Sequence, residues 1–148
     1  MITTPMTVIP KAGFDFARFG ETRASHRSRL GEYEAWRPDQ TATADTDLYL
    51  PSLVSLAYDD TDRLNFIEVV NDDVEVLYEG VQLLNRPEQQ VVAALTALIG
   101  LPPIHSAGMY AVPELGMRLR PDYDDELDDY AIKFIGLMPE ETYPGFQR

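Results

Sequence analysis

A chain of 148 residues without cysteine is long enough for one domain that buries roughly 68–70% of its unfolded surface, and it excludes disulfides, thiolate metal sites and thiol nucleophiles. A formal charge of −13 disfavours nucleic acid and anionic lipid, whose like charge it repels, and favours a cationic partner. The charge is uneven: residues 1–40 carry six Lys/Arg against five Asp/Glu, and residues 41–148 carry six against twenty.

No window approaches the ~18 apolar residues of a membrane span, and residues 1–11 lack the charged and apolar regions of a signal peptide, so a cytoplasmic protein is expected. Residues 1–13, with Pro5 and Pro10, read as an extended arm or short edge strand. A short helix is expected within 19–31, capped by Thr22 and ended by Gly31. Arg23, His26, Arg27 and Arg29 cluster on it, forming the chain's basic patch: an anion-binding pocket on one reading, a partner for the chain's own acids on the other. Residues 32–47, with Trp36, Pro38 and a Thr/Ala/Asp run, read as a loop in which Trp36 either anchors a partner or lids the core.

From residue 48 the pattern changes to branched and aromatic runs, 48–58, 63–70 and 74–84, separated by Asp- and Asn-rich turns, which predicts three antiparallel strands. The central helix is expected over 85–100: Asn85 as cap with Glu88 reaching back, Pro87 in the first turn, and Val91, Val92, Leu95, Leu98 and Ile99 on one face before Gly100 stops it. Two more strands are expected at 109–120 and 130–137, the first interrupted by Pro113 and Gly116, with an irregular tail from 138. Between these strands lie Asp122, Asp124, Asp125, Glu126, Asp128 and Asp129. Asp59, Asp60 and Asp62 make a smaller acidic turn.

Alternate carboxylates resemble a calcium loop, but the positions that need glycine and a final acid hold Leu127 and Lys133, so calcium is disfavoured. His26 and His105 do not stand at metal-ligand spacing, Ser106 beside His105 is not a triad, and no nucleophile elbow or phosphate-cradling glycine loop occurs. An enzyme is disfavoured, and no metal, cofactor or catalytic residue is assigned. The acidic turns at 59–62 and 122–129 are instead assigned to a basic protein partner, with solvated turns as the simpler reading and Arg23, His26 and Arg27 as the alternative anion site.

The expected fold is α+β: a single domain with an antiparallel sheet of about five or six strands, packed by one main helix and the shorter basic helix, in two halves of similar order. Helix, Leu30-Gly31, Tyr58-Asp59-Asp60 and Phe66-Ile67 precede helix, Ile99-Gly100, Tyr123-Asp124-Asp125 and Phe134-Ile135. The Gly20-Glu-Thr-Arg23 segment reaching Leu30-Gly31 resembles the helix signature of the beta-lactamase inhibitor protein and BamE lipoprotein group, which implies a helix beside an antiparallel sheet. The chain departs from that group in lacking its lipid-attachment cysteine and its disulfides. A small, acidic, cysteine-free domain also resembles the immunity proteins that neutralise bacterial secreted toxins. That resemblance implies an acidic surface that plugs a basic toxin site.

Overall fold

The computed structural model describes residues 2–36, 46–71 and 73–143. Pro38 and residues 41–45 of the Thr/Ala/Asp run, Asp72 and the last five residues of the tail lie outside the described residues, whereas Thr46 and Asp47, expected in the same loop, begin β5. In chain order the strands are β1 (Met6–Ile9), β2 (Gly13–Phe14), β3 (Ala17–Arg18), β4 (Tyr33–Trp36), β5 (Thr46–Tyr49), β6 (Val54–Tyr58), β7 (Leu64–Val69), β8 (Val76–Tyr78), β9 (Val81–Gln82), β10 (Ile104–Ser106), β11 (Met109–Val112), β12 (Met117–Asp124) and β13 (Asp129–Leu137). Helix α1 (Arg23–Arg29) precedes β4, and helix α2 (Glu88–Ile99) precedes β10.

The strands form a five-stranded sheet, β3-β2-β1-β8-β9, and an eight-stranded sheet, β10-β11-β12-β13-β7-β6-β5-β4. This corrects the α+β expectation: the fold is β-rich, with two sheets in place of one sheet of five or six strands. Several strands are only two to four residues long, too short to show an alternating pattern in sequence. The arm is β1, paired in parallel with β8. Trp36, expected in a loop, ends strand β4. The run 48–58 is broken by the turn at 50–53, and 109–120 by a 3₁₀ turn, Pro113–Leu115, closed by Gly116 at φ 63°.

Both helices lie where their sequences place them. Thr22 Oγ1 accepts from Ser25 N–H at 3.2 Å to cap α1. At α2 the cap position is Pro87, without a side-chain bond, and Asn85 stands outside the helix at φ 61°. The carbonyl-side end follows expectation: Gly100, left-handed at φ 89°, donates its N–H to Thr96 O. Val91 and Leu95 of α2 join Met6, Val8 and Phe14 of the small sheet in one core against Val54, Leu56, Ile67, Val69, Leu119 and Ile135 of the large one.

The large sheet consists of two four-stranded meanders, β4–β7 and β10–β13, each preceded by a helix and joined where β13 pairs antiparallel with β7. At that seam Ile135, Gly136 and Leu137 face Val69, Glu68 and Ile67. Exchanging 67, 68 and 69 for 135, 136 and 137 maps this set onto itself, so a local twofold passes through the Glu68–Gly136 pair. The same exchange extends outward. Ala57 faces Phe66 and Arg120 faces Phe134, and in each hairpin the register slips directly after that pair. Each helix start is tied to the hairpin by an equivalent bridge, Thr22 to Arg63 and Pro87 to Ala131. Tyr58 faces Leu64 where Pro121 faces Ile132, so the counterpart of Tyr58 is Pro121 and not Tyr123.

The seam is tight as well as symmetric. A Cβ on Gly136 would meet the Phe134 ring at 3.1 Å and Phe66 Cζ at 3.4 Å, so the two equivalent phenylalanines close over it from either side.

Candidate functional site: the acidic hairpin finger

Pairing of β12 with β11 ends at Leu119, and pairing of β13 with β7 begins at Ile135. Beyond those points residues 120–124 and 129–134 pair with each other, forming a two-stranded finger that extends past the sheet. Its base is braced by the segment before α2: Asn85 N–H donates to Ile132 O at 2.8 Å, and Ile132 N–H donates to Arg86 O at 3.0 Å.

The tip is built around Asp124. Its Oδ1 accepts the N–H groups of Glu126 and Leu127 at 2.9 and 3.1 Å, and its Oδ2 accepts from Lys133 Nζ at 2.6 Å. Lys133 also donates to Asn85 Oδ1 at 3.1 Å, so the one lysine near the tip is fixed at its base. Its ammonium, with the Leu127 N–H, holds the Asp124 carboxyl below the usual aspartate range. A carboxylate depressed in this way stabilises the fold above the ordinary aspartate range, and the contribution disappears as pH falls through its lowered value. Lys133→Met is therefore expected to raise the Asp124 titration toward the ordinary range and to flatten the acid limb of the stability curve. Carboxyl-detected NMR titration checks this; an unmoved Asp124 would show that Lys133 is not its main partner.

The other acids have different positions. Asp128, left-handed at φ 51°, receives the Tyr123 hydroxyl. Among the described residues Asp122 and Asp129 accept only the N–H of the residue that follows each, at 2.9 and 2.7 Å. Asp122, Asp125, Glu126 and Asp129 have no ion pair among the described residues. Beside them Tyr123, Leu127 and Tyr130 stand 46%, 45% and 54% exposed, the two rings edge to face at 5.6 Å. The finger and Asp73, Asn85 and Lys133 line a cleft of about 780 Å³. Sequence reasoning found the acids but not the two tyrosines, Leu127 or Lys133, although Tyr123 and Tyr130 bracket the acidic run.

The smaller acidic turn lies elsewhere. Because β7 and β13 run antiparallel, residues 59–62 and the finger tip sit at opposite ends of the large sheet, and no single flat surface brings them together. Asp59 is a turn builder: its Oδ1 accepts from the Thr61 hydroxyl and from the N–H groups of Thr61 and Arg63, which lowers its titration. Asp62 pairs with Arg23 at 3.1 Å. Asp60 is exposed.

The basic helix faces inward to the chain's own acids. Arg27 grips the fully buried Asp47 through two bonds of 2.7 Å, which raises the pKa of its guanidinium. Arg23 reaches Asp47 at 3.8 Å and stacks 4.6 Å over the Tyr58 ring. His26 is fully buried, with Nε2 3.0 Å from Glu21 Oε1 and Nδ1 2.9 Å from the Tyr58 hydroxyl. A carboxylate only accepts, so Nε2 carries a hydrogen toward Glu21. Burial pushes Tyr58 above the usual phenol range and Tyr49 up to about 12, and the buried Tyr49 hydroxyl has no hydrogen-bond partner among the described residues. Burial acts to raise Glu21 as well, but the Arg18 N–H and His26 outweigh it and leave the carboxyl lowered.

His105 is exposed and stacks on Tyr110 at 4.5 Å, and Trp36 is 56% exposed at the free edge of the sheet. Among the described residues, no group of three or more His, Asp or Glu is placed to hold a metal ion, and no helix is long and apolar enough to cross a membrane. Compared with protein-family models, characterised proteins and solved structures, the chain matches none.

Proposed function

We propose that this is a non-enzymatic binding protein of the cytoplasm, an immunity or inhibitor protein that neutralises a basic protein partner, a secreted toxin in the fullest form of the reading. The observation that carries it is the finger tip, where four carboxylates that have no ion pair among the described residues, Asp122, Asp125, Glu126 and Asp129, stand beside exposed Tyr123, Leu127 and Tyr130. Carboxylates supply steering and recognition of Arg or Lys, and aromatic side chains supply contact area at small entropic cost. A two-stranded finger fits a cleft better than a flat surface. The turn at 59–62 has a lesser part, because Asp59 and Asp62 are engaged within the chain.

The alternative, a small-molecule or enzymatic pocket on the basic helix, needs Arg23, His26 and Arg27 for an anion. All three are engaged, with Asp62, Glu21 and Asp47. This observation favours the binding reading.

The test is titration of the full chain with poly-lysine and with a lysine-rich protein at increasing salt. Affinity is expected to fall steeply with salt and to fall at least about tenfold in a variant with Asp122→Asn, Asp125→Asn, Glu126→Gln and Asp129→Asn, whose folding stability stays within about 0.5 kcal/mol of the parent. Loss of stability without loss of binding would contradict the assignment.

A further inference from the structure

A strand at the edge of a sheet turns the N–H and C=O of every second residue outward, unpaired, and this chain blocks several of its edges. The finger is blocked on both sides. Ile132 gives its backbone groups to Asn85 and Arg86, so Ile132 and Pro121 turn theirs away from each other, as do Tyr130 and Tyr123 two residues on. Pro121 has no N–H, and those of Tyr123 and Tyr130 are taken by Asp122 and Asp129. At one end of the large sheet, the two-residue turn that pairs Ser106 with Met109 leaves only His105 of β10 facing outward, with Pro102 and Pro103 just before the strand.

Strand β4, at the other end, lacks these devices. Leu50 N–H donates to Glu32 O at 3.0 Å, so the alternation turns the N–H and C=O of both Tyr33 and Ala35 away from β5. All four residues of β4 are exposed, and none is proline or lysine. The Tyr33 ring lies under Arg27 at 4.5 Å and stands 5.8 Å from that of Tyr49, which holds the strand in place. Glu32, Glu34 and Trp36 alternate with the outward residues and project on one side of the strand. All three are exposed, and neither acid has an ion pair among the described residues.

We infer that β4 is a docking edge for an extended basic segment of a partner protein, which adds to the sheet as a further antiparallel strand. Its backbone bonds to Tyr33 and Ala35. The residue between those contacts faces Glu34, and Lys or Arg there meets the carboxylate with Glu32 and the Trp36 ring on either side. A second copy of the chain fits poorly, because the register that uses both outward residues sets Glu34 against Glu34 between two chains of charge −13. Strands β5, β6 and β7 separate this edge from β13, so the inference stands on different residues from the finger reading and fails separately.

The test is a short capped peptide alternating lysine and valine, titrated into the full chain and into the variant with the four finger carboxylates neutralised. Trp36, the sole tryptophan, reports binding by its fluorescence, and amide exchange follows the N–H groups of Tyr33 and Ala35. The expected result is a saturable Trp36 response, the same in both proteins, with exchange at Tyr33 and Ala35 slowed at least about tenfold. The same peptide N-methylated on its valines keeps its charge but cannot bond to Tyr33 and Ala35, and should bind at least about tenfold more weakly. Ala35→Pro, which removes an outward N–H and no bond to β5, and Glu34→Lys should each weaken the unmethylated peptide about tenfold. Equal affinity for the two peptides, or a response that disappears with the finger carboxylates, overturns the inference. So does exchange at Ala35 that slows with chain concentration in the absence of peptide, which would give the edge to a second copy.

Discussion

Asp47→Asn is expected to cost about 3 kcal/mol of folding stability, roughly 6–12 °C in Tm for a chain of this size. The carboxylate is fully buried and is the common counter-charge for Arg27, at two contacts of 2.7 Å, and Arg23, at 3.8 Å. Removing it leaves two guanidinium groups facing an amide that cannot neutralise them. Arg27 keeps 31% of its side chain exposed, which sets the expectation at the low end for a broken buried pair. The other meander shows that the pair is not required by the architecture. By the twofold exchange Asp47 corresponds to Tyr110, and His26, the fourth residue after its helix cap, corresponds to Val91. Urea unfolding of Asp47→Asn, and of Asp47→Leu combined with Arg23→Met and Arg27→Met, separates the two cases: the triple variant should recover most of the loss. A loss under about 1 kcal/mol in Asp47→Asn would mean that water, and not Asp47, neutralises these arginines.

Gly13→Ala should cost about as much, for a backbone reason. Gly13 sits at φ 115°, outside the regions open to residues with a Cβ, and an added Cβ would lie 2.5 Å from the Ala17 carbonyl oxygen across the β2–β3 turn. The turn cannot yield without disturbing β1, which pairs β2 through Val8–Phe14 and Ile9–Gly13. Gly80→Ala is the control: φ is 77° and nothing lies within 4 Å of the new carbon, so only the left-handed penalty of about 1–2 kcal/mol applies. The expected order in urea is Gly13→Ala below Gly80→Ala, with a gap of about 1–2 kcal/mol; equal losses would show that the turn opens freely.

What could be read in advance follows the length of each signal. Helix α2 was legible because five apolar positions and a terminal glycine agree over about two and a half turns, whereas its start was misassigned because Asn85 serves the hairpin through Lys133 and not the helix. Strands β6, β7, β12 and β13 carried branched residues in runs long enough to see. Those of the small sheet did not, since two or three residues carry no period. Trp36 and its neighbours read as loop because all four residues of β4 are exposed, which removes the alternation that marks a half-buried strand. The acids of the finger were found by composition alone. What composition could not give is which carboxylates have partners: Asp62 and Asp124 are met by Arg23 and Lys133 from 39 and 9 positions away, while Asp125 and Glu126 meet no cation among the described residues. Two halves of similar order, with Phe66-Ile67 set against Phe134-Ile135, could be stated from sequence, but the twofold that relates them could not, because it lies in the pairing registers.

The most direct measurement of the central claim is the salt dependence of binding between the intact protein and a lysine-rich protein, with the neutralised finger as reference. Affinity that falls steeply from 50 to 500 mM salt, with a slope that the four substitutions at 122, 125, 126 and 129 largely remove, is the predicted result. Binding that is flat in salt, or equally strong with those four carboxylates gone, would contradict it.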